Sequence, residues 1–310
     1  MIYPDLYGAF DIAREYCGFS IFPKPLPTTQ QIMWQHGCVS DNIIIPEQIF
    51  GAELAYPSTR KLVANKKLKD FYFAKKRYEA HAVGLPVVYI PKYTIQKQNK
   101  LLVYPSHGVP GSKTNEYINI QYSKYITSVA HNFSKVQVIV FGPDYDKGAA
   151  VKGIFEEAGF EVVRGVDNSK YALHEQKKRF LNASHVTSNV MGSHIPYAAS
   201  LGCNVSISGP YQNYEKQHLE QVEFYRIFPE AIQNDIESYS DTYLKSINPW
   251  LFCEPYEAQS CEAWGNEQIG SGCQLSPKEM CKLFDWNILN VVKSKIKLSE
   301  KIRFLLRQAI

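Results

Sequence analysis

No apolar run in this 310-residue chain approaches the ~18 to 20 residues that a bilayer-spanning helix needs. The N-terminus also lacks the basic-then-apolar plan of a secretory signal, so the expected location is the cytoplasm. Cysteine is sparse and unpaired in pattern: there are seven, an odd number, with no CxxC spacing. That argues against both a disulfide framework and a zinc ribbon. No internal repeat and no low-complexity tract is present, which sets aside solenoids and disordered arrays.

What is present describes a globular chain, since 45% apolar and 21% charged residues are ordinary values and the length suffices for two cores. The net charge of +4 is mild but unevenly spread. Lys61, Lys66, Lys67, Lys69, Lys75, Lys76 and Arg77 crowd one segment, and Lys293, Lys295, Lys297, Lys301, Arg303 and Arg307 another. In the second, Ile296, Leu298, Ile302, Leu305 and Leu306 recur at helical spacing. The result is a basic amphipathic helix, suited either to an anionic membrane surface or to packing on the protein body. No nucleic-acid motif accompanies the charge, so nucleic acid is not an expected partner. Cys253, Cys261, Cys273 and Cys281 cluster in sequence, either as metal ligands or, for Cys281 behind the capping-box pattern Ser276-Pro277-Lys278-Glu279, as core filling.

The periodicity predicts an α/β chain. Strands over 101–104, 136–141 and 160–163 alternate with helices over 116–132, 149–158 and 172–182, which implies a parallel sheet covered on both faces. Earlier in the chain, 42–45 and 87–90 read as strands and 66–77 as a helix, with a lysine-rich linker over 93–100. The expected division is an α/β domain over 1–95, a Rossmann-like domain over 96–248 and a mainly helical segment over 249–310.

The densest signal lies between Ser184 and Pro210. A strand over 185–190, a turn at Met191-Gly192-Ser193, a helix over 194–201, a stop at Gly202 and a strand over 204–208 follow in order. The free amides at such a helix start attract a phosphate, and Gly192 allows close approach, so a nucleotide phosphate is the first ligand to consider. In a parallel sheet the strand-end loops face the ligand. His107 in the loop Ser106-His107-Gly108-Val109-Pro110-Gly111 is therefore assigned to a donor phosphate, helped by Ser106, Ser112 and Lys113. Ser193 and His194 reach the same phosphates from the helix start. Ser188 and Asn189 either join them or satisfy buried backbone. Asp144-Tyr145-Asp146 reads either as a metal-binding pair or as a helix-capping turn, with metal independence preferred.

Trp34-Gln35-His36-Gly37, Val83-Gly84-Leu85-Pro86, Tyr104-Pro105-Ser106-His107-Gly108, and Ser188-Asn189 through Gly192-Ser193-His194 with Tyr197-Ala198 resemble the GT-B-fold glycosyltransferases of bacterial capsule and O-antigen synthesis. The resemblance covers roughly residues 30 to 215. It implies two Rossmann-like domains facing a cleft, GT-B-like, the second holding a sugar-nucleotide donor and the first a glycan or lipid-linked acceptor. Beyond the donor substrate it implies no cofactor. Retaining members carry two glutamates eight positions apart; the comparable positions here are Ser193 and Leu201, and Glu254 and Glu262 fall after the motif, which favours inversion.

Inverting transfer needs a base for the acceptor hydroxyl. His36 is the candidate, with Asp41 and Glu47 in reserve; a packed, hydrogen-bonded histidine beside Trp34 is the alternative. Two other functions keep the same fold: a sugar-nucleotide 2-epimerase, and a noncatalytic glycan-binding protein in which His36 and His107 are ordinary residues.

Overall fold

The computed structural model describes residues 6–20, 32–50, 60–76, 80–107, 116–166, 169 and 171–286. It is an α/β structure with two parallel sheets. The first contains β1 (Ile32–Trp34), β2 (Arg60–Val63) and β3 (Ala80–Ala82) in that order. The second contains β4 (Gln98–Tyr104), β5 (Lys135–Val140), β6 (Glu161–Arg164), β7 (Ala183–Ser188) and β8 (Asn204–Ile207), ordered β6-β5-β4-β7-β8.

The second sheet is doubly wound for a reason visible in β4. Leu101, Leu102 and Val103 are all 0% exposed, a continuous apolar run that only a strand covered on both faces can use. Leu101 and Val103 join Tyr122 and Ile126 of the helix Glu116–Val129 and Phe155 of the helix Ala150–Glu157. Leu102 and Tyr104 point the other way, into a core with Phe180 of the helix Ala172–Asn182 and with Ile195 and Ala198 of the helix His194–Ser200. The strand order reverses between β4 and β7, which are hydrogen-bonded neighbours. A crevice outside their carboxyl ends is where such a sheet takes a ligand.

The predicted run from β7 through the turn, helix, Gly202 stop and β8 is present, with Gly202 at φ +70°. The first hundred residues differ from expectation. Residues 42–45 are not a strand, because the Gln48 side-chain oxygen accepts the Ile44 and Ile45 N–H groups (2.8 and 3.1 Å) and folds them into a turn. Residues 86–89 form a 3-10 helix that Pro86 opens. The end of the expected linker is strand, since Lys100 lies buried in β4 with its ammonium on Gln137 Oε1 (2.8 Å). Lys61 also leaves the expected basic patch: it is buried in β2, its pKa lowered by burial to about 8.

The segment after 249 packs across both sheets. Gly265, in the helix Glu262–Gln268, meets Ala199 and Ser200, while Gly270 meets the Ala64 carbonyl and Gly84 beyond β2 and β3. The capping box at Ser276 and Glu279 forms as expected and opens the helix Pro277–Leu283. The clustered cysteines separate, Cys281 lying beside Cys17 and Cys253 near Cys261, and among the described residues no group of three metal-ligating side chains converges. No helix of the described residues is long and apolar enough to cross a membrane. Residues 293–307, the predicted basic helix, lie outside the described residues.

Candidate active site

A cavity of about 430 Å³ opens where strands of both sheets end. Thirteen of its 21 lining residues closely follow a strand. His36, Gly37, Cys38 and Val39 come after β1, Pro105 and His107 after β4, Phe141 after β5, Val166 after β6, and Val190 through His194 after β7. Parallel strands aim their carboxyl ends one way, so this convergence follows from topology.

Two contacts bind the loop after β1 to the turn after β7. The Cys38 N–H donates to Ser193 Oγ (2.9 Å), and the Tyr197 hydroxyl donates to the His36 carbonyl (2.7 Å). Gly37 permits this approach, because a Cβ there would stand 2.7 Å from Ser193 Oγ. The Ser193 hydroxyl is therefore occupied as a tether between the two loops. The helix behind it has seven residues, and its Ile195 N–H already donates to the Gly192 carbonyl (3.0 Å). The amide nest expected at Gly192 is thus smaller than the sequence implied.

Histidines supply the polar chemistry. His107 stacks on Phe141 and His194 on Tyr104, each pair with centroids 4.7 Å apart. Burial, with His107 as a lesser cause, lowers the His194 pKa to about 3. Its Nε2 is buried and has no hydrogen-bond partner among the described residues, as is also true of Gln176 Oε1 on the same wall. His36 faces the cavity beside Tyr7 (5.6 Å between centroids), and burial lowers its pKa to about 4. Among the described residues the wall contains no Asp, Glu, Lys or Arg. Buried polar atoms without a partner on the wall leave hydrogen-bonding capacity that a polar ligand can complete.

The remaining predicted residues lie elsewhere. Ser106, Ser188 and Asn189 sit beneath the wall and are buried, with Asn189 Nδ2 lacking a hydrogen-bond partner among the described residues. Asn189 Oδ1 accepts the Ser106 N–H (2.8 Å), and Ser188 Oγ donates to the Tyr104 carbonyl (2.7 Å) and accepts the Val190 N–H (3.2 Å). They brace the loops after β4 and β7 instead of meeting a phosphate. Asp41 is held by Lys67 (2.9 Å) and lines an adjoining cavity of about 220 Å³, away from the main wall. Glu47 is buried beside Lys61. Asp146 forms a paired contact with Arg164 (2.7 and 2.6 Å) at the end of the helix Gly142–Asp146. Gly108 and Lys113 lie outside the described residues. Sequence reading missed Gln48, Gln176, Tyr214 and Tyr239, which reach the wall from helices and late loops that no local motif marks, and it gave Tyr197 a place in a motif but no role.

No family model matches the sequence, and no curated protein matches it either. Among solved structures the chain is similar to a mutant of S. aureus TarM in complex with fondaparinux, alpha-GlcNAc-glycerol and UDP, at 13% identity and a TM-score of 0.32. The match covers 70% of this chain and 50% of that one.

Unfolded histidines titrate near 6.5, whereas His36 and His194 stay neutral in the fold to about 4 and about 3. Their contribution to stability is full above pH ~6.5 and is lost as pH falls through the window down to those values, by at most about 1.4 kcal/mol per pH unit per histidine. His174 and His185, also lowered by burial, act in the same direction. Urea unfolding at pH 7.5, 6 and 5 should show steadily falling stability, with a shallower slope for His194→Gln. Equal slopes would mean that His194 is solvated.

Proposed function

We propose that this chain is a glycosyltransferase that moves a sugar from a nucleotide donor to a glycan or lipid-linked acceptor, with inversion and without a metal. The observation that carries the reading is the cavity at the carboxyl ends of strands from both sheets, with His107 and His194 at the switch point between β4 and β7 and His36 opposite. The two switch-point imidazoles are placed to meet the donor's phosphates. Ring N–H groups there can donate hydrogen bonds to the phosphate oxygens as the leaving group develops negative charge. His36, kept neutral by burial, has a lone pair free for the acceptor proton. In the step, the acceptor oxygen forms a bond to the anomeric carbon as the bond from that carbon to the donor phosphate breaks. The acceptor proton passes to His36, and the nucleotide leaves with the bonding electrons.

Surface polysaccharide synthesis is the proposed setting, with the basic segment over 293–307 resting on the anionic inner membrane face of the cytoplasm. Incubation with UDP-, GDP-, dTDP- and CMP-sugars should release one nucleotide, slowly even without acceptor, and the same compound should raise the melting temperature. An altered sugar on an intact nucleotide would mark an epimerase instead. No release and no stabilisation across the panel would end the enzymatic reading.

A further inference from the structure

The main cavity continues into a second one of about 440 Å³ that shares His36, Gln48, His107 and Tyr214 and adds a different wall. Ile43, Leu219, Phe224 and Tyr225 make it apolar and aromatic. Asp235 is the one Asp, Glu, Lys or Arg among its described lining residues. This carboxylate is 8% exposed and rigidly held. Oδ1 accepts from Gln48 Nε2 (2.6 Å), across from the first sheet's side, and Oδ2 accepts from the Tyr225 hydroxyl (2.9 Å). Each oxygen has a further lone pair, so the group still accepts hydrogen bonds from whatever enters. Burial raises its pKa while the two donors oppose that shift.

We infer that this second cavity is the acceptor subsite, and that it takes an uncharged pyranose terminus whose hydroxyl donates to Asp235 while its C–H faces lie on the aromatic wall around Phe224 and Tyr225. The inference rests on the glycosyl-transfer reading. Three features select that class. The volume suits a monosaccharide unit, and aromatic faces pack against the apolar faces of a sugar ring. A buried carboxylate with no cation beside it on the described wall rewards hydroxyl donors and repels a second anion, so acidic sugars are disfavoured. Because the wall is continuous with His36, a sugar seated there presents a hydroxyl toward the proposed base. Asp235 is a positioning residue in this scheme.

Saturation-transfer NMR with a panel of neutral p-nitrophenyl pyranosides, and with p-nitrophenyl glucuronide, tests the subsite without turnover. At least one neutral glycoside should receive saturation on its ring protons, and the glucuronide should not. Asp235→Asn, which preserves the shape but accepts from only one of Gln48 and Tyr225, should weaken that glycoside at least about tenfold, as loss of a hydrogen bond to a charged group predicts. Tyr225→Phe should weaken it less, which guards against a folding defect in the first variant. Glucuronide binding equal to the neutral glycosides, no neutral glycoside bound, or an unchanged affinity in Asp235→Asn would each overturn the proposal. Nucleotide release from the donor panel is measured on the same proteins. Glycoside binding without any release would defeat the glycosyl-transfer reading and leave the sugar site standing, while release that survives Asp235→Asn separates donor site from acceptor site.

Discussion

Replacing His36 with Ala is expected to lower acceptor-dependent transfer by about a hundred- to ten-thousand-fold, the usual range for removing a general base. Donor-induced stabilisation should persist. The reason lies in how the residue is held. Tyr197 secures the His36 backbone carbonyl (2.7 Å) and Ser193 secures the next amide but one, so the loop keeps its place without the imidazole. The side chain itself contributes a neutral ring facing the cavity, tilted on Tyr7. For the free enzyme the base must be unprotonated, so kcat/KM should fall as pH drops through about 4 and not through the ordinary histidine range. With donor bound, the phosphate charge raises that value, and the acid limb of kcat should lie higher. An unchanged rate in the variant would strip His36 of the base role and turn attention to Asp235 on the continuing wall.

Much of the second sheet was legible because its signals are local. Helical periodicity at Val151, Ile154 and Phe155, the Gly159 and Gly202 stops, and apolar strand runs each lie within a few neighbouring residues. The first sheet was not. Its three strands have only three or four residues, and buried Lys61 in β2 disguises an interior position as surface. Of the site, His107, Gly192 and His194 could be found from strand-end topology, whereas His36 follows a strand that the sequence did not reveal and was reached through the resemblance. Ser188 and Asn189 share that neighbourhood, yet both are buried, on the Tyr104 carbonyl and the Ser106 N–H respectively, and no pattern in the sequence states which way a side chain at a strand end faces. Gln176, Tyr214, Tyr239 and Asp235 come from elements far along the chain, and only tertiary packing brings them to the walls.

The second large effect is on folding. Gly270→Ala should destabilise the protein by about 2 to 5 kcal/mol, through left-handed backbone strain of ~1–2 kcal/mol together with overpacking of ~1–3 kcal/mol. Gly270 sits at φ +70°, and a Cβ there would stand 1.9 Å from the Ala64 carbonyl oxygen, rigid backbone at the end of β2. The neighbouring Ile269 carbonyl accepts the Leu85 N–H (2.9 Å), so the segment has little freedom to retreat. Gly159→Ala supplies the control, since φ is +85° there and nothing lies within 4 Å of the added carbon. Urea unfolding of the two variants therefore separates strain, common to both, from collision, present only at 270. The functional consequence follows from Gly265 five residues earlier, which seats the same segment against Ala199 and Ser200 at the far end of the helix that begins with His194. A segment levered off β2 loosens its grip on that helix, so Gly270→Ala should also weaken donor-induced stabilisation, whereas Gly159→Ala should not. Equal losses of stability in the two variants would show that the segment yields at Ala64 and does not hold the cavity walls together.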